Sequence, residues 1–232
     1  MSASSRKTLA VVAARGGSKG IPRKNLIDLC GKPLLAWTVE QAVAAHGVTD
    51  VAVSSDDAEI LAVARDFGAI GVPRPDDISG DRATSESAWR HAYEALARER
   101  GPYDRIVALQ ATSPIREPAD IDGALALYDG DAFDSVLSVC EVEDFFTWRR
   151  GPEGAEAVNY DWRSRRRRQE IEPRYLENGS IYAFPPDMLL KTDNRLGGRI
   201  GLYVMERHKT YQVDRPEDLA LCAAIMRGYG YA

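Results

Sequence analysis

Short apolar runs alternate with amphipathic segments of helical period from the first residues to past the middle of the chain. The pattern predicts strands at 9–14, 50–55, 69–72, 105–110 and 135–139, and helices at about 33–46, 57–67, 84–100 and 118–128. Strands this apolar must be covered on both faces, which implies an α/β fold: a doubly wound, mostly parallel sheet with right-handed crossovers. From 141 to 177 the pattern breaks. Phe145, Phe146, Trp148, Tyr160 and Trp162 interleave there with Arg149, Arg150, Arg163 and the run 165–168. A segment of this kind cannot bury its own apolar residues, so it reads as an inserted arm that packs on a second copy of the chain, giving a homodimer. Strand-like runs at 180–184, 200–205 and 211–213 return the chain to the sheet, and 215–229 reads as a closing helix. Residues 1–232 thus read as one domain with 141–177 inserted.

At 232 residues, with 44% hydrophobic and 28% charged, the chain can bury the core of one large domain. A net charge of −5 argues against nucleic acid as a partner, since phosphate-backbone affinity needs a broad excess of Lys and Arg. Positive charge is local instead. No apolar run reaches bilayer-spanning length and the segment before the first strand is too short for a signal-peptide core, so a cytoplasmic protein without a membrane partner is expected. Cys30, Cys140 and Cys222 are widely spaced in apolar surroundings and read as buried thiols. His46, His91 and His208 are scattered and have no second ligand at helical spacing, so none is assigned to a metal.

Local charge concentrates directly after the first strand, in Arg15-Gly16-Gly17-Ser18-Lys19-Gly20-Ile21-Pro22-Arg23-Lys24-Asn25. A buried strand that exits into three glycines, a serine and several cations offers backbone N–H groups and positive charge to a polyanion such as a nucleoside triphosphate. Two familiar phosphate motifs do not fit. Lys19 precedes Gly20 and Pro22 follows, which excludes the GxxxxGK loop, and the spacing of Gly16, Gly17 and Gly20 is not GxGxxG. An ordinary glycine turn with solvated cations is the remaining alternative.

Three further motifs follow in order: Val53-Ser54-Ser55-Asp56, then Leu109-Gln110-Ala111-Thr112-Ser113-Pro114-Ile115-Arg116, then Glu177-Asn178-Gly179-Ser180-Ile181-Tyr182, with Val213-Asp214 before the last helix. With the opening loop, this set closely resembles the acylneuraminate cytidylyltransferases, the CMP-sialic acid synthetases, over nearly the whole chain. The resemblance implies an enzyme that transfers CMP from CTP to the anomeric 2-hydroxyl of a nine-carbon 2-keto sugar acid, releasing pyrophosphate with Mg²⁺ as cofactor. By resemblance Arg15, Lys19 and Lys24 serve catalysis, and Ala14, Arg15, Gly16, Gly17, Ser18, Lys19, Asn25 and Thr84 hold the nucleotide. The sugar acid falls to Gln110, Thr112, Ser113, Arg168, Gln169 and Asn178, and the metal to Asp214.

Several of these positions carry a second reading. Thr84 can equally cap the helix that follows it. Arg116 can be a solvated arginine leading a helix, and Arg165 to Arg168 can be a solvated face. Asp214-Arg215-Pro216-Glu217 also has capping-box spacing. The chain departs from the family in two places: Gln212 stands where many relatives have the first Asp of Asp-x-Asp, and Leu176 stands where some have an arginine suited to the sugar carboxylate. Arg174 lies near, and the carboxylate clamp is unassigned. Transfer to an eight-carbon acid or a sugar phosphate is the alternative within the enzymes. A nucleotide-binding dimer module that has lost its chemistry is the alternative outside them.

Overall fold

Leu9, Ala10, Val11 and Val12 point alternately to two apolar layers and are all fully buried, which is why this run forms an interior strand of the sheet. The computed structural model describes residues 6–18, 20–142 and 146–232. Its elements are β1 (Thr8–Ala13), β2 (Asp28–Leu29), β3 (Lys32–Pro33), α1 (Leu34–Ala44), β4 (Asp50–Ser55), α2 (Ala58–Asp66), β5 (Ile70–Pro73) and α3 (Ser85–Arg100). There follow β6 (Arg105–Leu109), α4 (Pro118–Asp129), β7 (Ser135–Val142), β8 (Trp148–Gly151), β9 (Gly154–Ala157), β10 (Arg174–Phe184), α5 (Pro186–Thr192), β11 (Ile200–Met205) and α6 (Pro216–Tyr229).

The described residues form a seven-stranded sheet in the order β11-β7-β10-β6-β1-β4-β5. Every pairing is parallel except those of β10, which runs antiparallel to both β6 and β7. The doubly wound, mostly parallel sheet is therefore as expected. Apolar residues of α1, α2 and α4 cover one face and those of α3 and α5 the other. A third cluster fastens α6 through Cys222 and Met226 to Leu29, Trp37 and Val213. The chain winds outward from β1 in both directions, so β1 and β6 are neighbours at a topological switch point, where their exit loops leave a crevice.

Three expectations need correction. Residues 211–213 form a loop and not a strand, because the Val213 N–H bonds to the Thr112 carbonyl at 2.8 Å and ties the segment to the loop after β6. Helix α5 has no counterpart in the sequence reading; it starts at Pro186, which suits a first helical turn. The predicted insertion 141–177 is also too wide, since β7 runs to Val142 and β10 begins at Arg174. Between them, β8 and β9 pair as a hairpin, and Tyr160 packs on Phe146 and Trp148 with ring centroids 4.1 and 5.8 Å apart. The arm thus covers part of its own aromatic surface, while Trp148 and Trp162 stay 48% and 52% exposed. Phe145 lies outside the described residues. No helix among the described residues is long and apolar enough to cross a membrane.

A buried ionic cluster joins α4 to the segment after β11. The Lys209 ammonium lies 2.7 Å from Glu117, 2.9 Å from Asp120 and 2.7 Å from Glu206. Burial alone would lower the pKa of Lys209, but the hydrogen bonds it donates to Asp120, Glu117 and Glu206 hold it above the ordinary lysine value.

Candidate active site

The loops after β1 and β6 face each other across a cleft of about 330 Å³. Arg15, Ser18, Lys24 and Asn25 line it from the first loop, and Gln110 and Thr112 from the second. Trp89 of α3 and Asp214, just before α6, complete it. Both loops emerge from apolar strands whose ladders hold Val12 against Leu109, so the two walls are placed by the sheet itself.

Arg15 and Lys24 of the first loop each meet a carboxylate. Arg15 Nη1 lies 3.0 Å from Asp81 Oδ1, and Lys24 Nζ 2.8 Å from Asp214 Oδ1. The Gly16 N–H donates to Asp56 Oδ1 at 3.0 Å. Asn25 is buried and donates to the Arg15 carbonyl at 3.0 Å, so it shapes the loop that carries Arg15. A polyanion entering here would replace Asp81 and Asp214 as partners of Arg15 and Lys24, exchanging one set of ion pairs for another.

A smaller cavity of about 230 Å³ adjoins the cleft, sharing Ala13, Arg15 and Ser85 with it and adding Arg74 and Thr84. Arg74 was not foreseen from the sequence. It is buried, donates from Nε to Ser79 Oγ at 3.1 Å and faces Asp56 at 3.7 Å. Desolvation lowers its pKa, with the Asp56 carboxylate opposing. Thr84 fulfils the capping reading, since its Oγ1 accepts from the Ser87 N–H at 3.1 Å, and it lines this cavity as well. Thr84→Ala is expected to cost about 1 kcal/mol of stability, read in a urea melt, while Thr84→Ser retains the cap.

Other predicted site residues fall elsewhere. Lys19 lies outside the described residues. Ala14 packs in the core with its N–H bonded to the Ser54 carbonyl, and Gly16 and Gly17 are not among the residues lining the cleft. Gly16 has a packing reason to be glycine, because a Cβ there would sit 2.8 Å from Asp57 Oδ2. Ser113 is 2% exposed and also off the lining. Asn178 is turned inward, where its Oδ1 accepts from Ser138 Oγ at 2.6 Å and its amide donates to the Lys209 carbonyl at 3.3 Å. Arg116 is neither solvated nor in the cleft: it is 1% exposed and donates to the Ser180 carbonyl at 2.8 Å and Oγ at 3.0 Å. Desolvation brings its pKa down to about 10. Arg168–Glu170 form a one-turn helix of the arm; Gln169 is not among the residues lining the cleft, and the side chain of Arg168 lies outside what the structure describes.

The capping reading of Asp214 is not met. Asp218, not Asp214, closes the start of α6, its carboxylate accepting from the N–H groups of Asp214 and Arg215 at 3.0 and 2.8 Å. The Asp214 side chain is thereby left to the cleft. Gln212 has both ends of its amide in use: Nε2 donates to the Asn178 carbonyl at 2.5 Å and Oε1 accepts from Thr112 Oγ1 at 3.3 Å. Gly179, at φ +67°, permits this, as a Cβ there would lie 2.5 Å from Gln212 Nε2. No cluster of three or more His, Cys, Asp or Glu able to hold a metal occurs among the described residues.

The cytidylyltransferase family pattern matches residues 9–225. The chain is 33% identical to N-acylneuraminate cytidylyltransferase A of Danio rerio over 98% of its own length, and it spans 52% of that protein, about half. It is 30% identical to a pseudaminic acid cytidylyltransferase of Campylobacter jejuni, covering 95% of this chain and 97% of that one. Among solved structures, CMP:2-keto-3-deoxy-manno-octonic acid synthetase, complexed with CTP, superposes with a TM-score of 0.71 at 20% identity, over 96% of this chain and 99% of that one. That likeness extends the agreement in fold. The family pattern runs across the sheet and both walls of the cleft, and the chain belongs to the cytidylyltransferase family.

Proposed function

We propose that the protein transfers CMP from CTP to the anomeric 2-hydroxyl of a nonulosonic acid and releases pyrophosphate. The observation that carries this reading is the meeting of Arg15 and Lys24 with Gln110 and Thr112 across one cleft at the switch point of the sheet. In this reading the sugar hydroxyl loses its proton as its oxygen bonds to the α-phosphorus, and the bond to the β-phosphate oxygen breaks in line. Negative charge then grows on the departing pyrophosphate, where Arg15 offers a forked donor and Lys24 a point charge. The adjoining cavity with Arg74 and Thr84 is placed to receive the base. Gln110 and Thr112 present an amide and a hydroxyl, which suit sugar hydroxyls. The names of the relatives, a neuraminate and a pseudaminic acid enzyme, support an acid of this class.

Mg²⁺ suits the donors present if the triphosphate and water complete its octahedron around Asp214, since the amide of Gln212 is already bonded on both sides. Bound there, the ion would neutralise phosphate charge. We infer further that the partner is a second copy seated on the arm, where Trp148 and Trp162 are exposed, and that the compartment is the cytoplasm.

The test is pyrophosphate release with Mg²⁺, each of the four common ribonucleoside triphosphates, and neuraminic, pseudaminic and eight-carbon ulosonic acids. Release with CTP and a nine-carbon acid is the expected result. Release only with the eight-carbon acid would move the reading to that substrate, and CTP binding without release under any combination would leave a nucleotide-binding module.

A further inference from the structure

Among the described side chains, the cleft has cations for phosphate but none assigned to the carboxylate of the sugar acid. Leu176, at the position where an arginine could serve, sits in the β10 ladder opposite Cys140. Arg174 is tied to the arm through the Asn159 carbonyl at 3.0 Å. Arg116 is sealed in the interior, and Arg90 is held by the Leu189 carbonyl at 2.7 Å and Asp193 at 2.9 Å.

Arg195 is placed differently. It belongs to the segment between α5 and β11, and its guanidinium carbon lies 4.5 Å from the ring centre of Tyr182 and 5.7 Å from that of Trp89. Trp89 lines the cleft. A guanidinium stacked by its face keeps its N–H edge available, and an arginine has five such donors in a fixed fork. One of them, on Nη1, faces Glu86 Oε1 at 3.2 Å. Glu86 follows Ser85, another lining residue, in the first turn of α3. With 27% of its side chain exposed, Arg195 can be reached from solvent, and the rings beneath it fix its plane. Neither Arg195 nor Glu86 lines the cleft itself; both adjoin it through Trp89 and Ser85, and Glu86 is the partner that a substrate carboxylate would have to displace.

We propose that Arg195 is the specificity residue that recognises the carboxylate of the sugar acid, and that it exchanges Glu86 for the substrate on binding. This rests on the transfer reading above. Its consequence is that the enzyme distinguishes an acid from its carboxamide through one stacked arginine next to Trp89, adjoining the cleft rather than lining it.

The test compares wild type, Arg195→Gln, Arg195→Lys and Glu86→Gln in pyrophosphate release, using the preferred acid and its carboxamide, with CTP affinity measured by calorimetry. Arg195→Gln is expected to raise KM for the acid by about 10- to 100-fold, the size of a lost charge-assisted pair of hydrogen bonds. Its KM for the carboxamide, its CTP affinity and its kcat with the acid should stay within a few-fold of wild type. Arg195→Lys should recover only part of the loss, because an ammonium lacks the fork. Glu86→Gln, which removes the internal competitor, should lower KM for the acid. Unchanged KM for the acid in Arg195→Gln, or an equal loss for acid and carboxamide, overturns the proposal. Should Arg195→Gln fail to fold, Glu86→Gln decides: an unchanged or higher KM for the acid overturns it. Wild type that releases no pyrophosphate with any acid overturns the transfer reading and this proposal with it, an outcome distinct from active wild type with an indifferent Arg195→Gln.

Discussion

Arg15→Ala is expected to lower kcat/KM for pyrophosphate release by about 10²- to 10³-fold, the effect of removing one preorganised donor from a site of developing charge. Arg15 is the one charged residue among the three, with Ala13 and Ser85, that line both cavities. Its side chain holds no part of the core: its partner is Asp81, which is itself more than half exposed, and the bond that fixes Asn25 comes from the Arg15 main-chain carbonyl. The variant should therefore melt within a degree or two of wild type. Arg15→Lys keeps the charge and loses the forked geometry, so it should fall between the two. A large fall in melting temperature with activity per folded molecule preserved would make the loop structural instead.

The second large effect is expected in stability. Lys209→Met should destabilise the protein by about 3 kcal/mol, because it strips the cation from a carboxylate that stays buried. That carboxylate is Asp120, whose side chain is only 6% exposed, while Glu117 and Glu206 reach solvent and can rehydrate. At about 2–4 °C per kcal/mol for a chain of this size, calorimetry should show a melting temperature lower by about 6–12 °C. Adding Asp120→Asn should recover part of the loss, since it removes the stranded charge. The pH dependence follows from Glu206, whose carboxyl is held below its ordinary value by its hydrogen bond to Lys209. Stability from that pairing is present above the ordinary glutamate range and is lost as the pH falls through the lowered value, so the gap between wild type and Lys209→Met should narrow in acid. A constant gap across that range would mean that packing around the lysine stem, not charge, sets its worth.

The strands around the cleft were legible because both of their faces are buried, and a run such as Ile106-Val107-Ala108-Leu109 has no other place to go. The facing loops were legible for a related reason: cations and glycines at the end of such a strand are exposed by the sheet and must do something there. Asn178 and Ser113 were not legible. Asn-Gly and Thr-Ser-Pro carry the same letters whether they turn to a ligand or inward, and the partner that draws Asn178 inside, Ser138, lies 40 positions away. Arg74 and Arg195 stand in polar segments without period, so nothing local separates them from solvated arginines until Asp56 and Tyr182 arrive beside them. The start of β10 was hidden for the opposite reason. Arg174 to Glu177 are polar enough to read as part of the arm, although the ladder to β7 claims them.

That strand has a mechanical consequence. Eight residues of β10, Arg174 to Ile181, about 25 Å of extended chain, lead from the root of the arm to a ladder position beside Leu109, one residue before Gln110. Its start pairs with β7 alone and its far part runs antiparallel between β6 and β7, and the register shift between Glu177 and Tyr182 that separates the two parts sits beside the Gln212 amide. A displacement at Arg174 is therefore carried along one strand toward the Gln110 wall of the crevice, and the register shift is the joint at which that strand can absorb it.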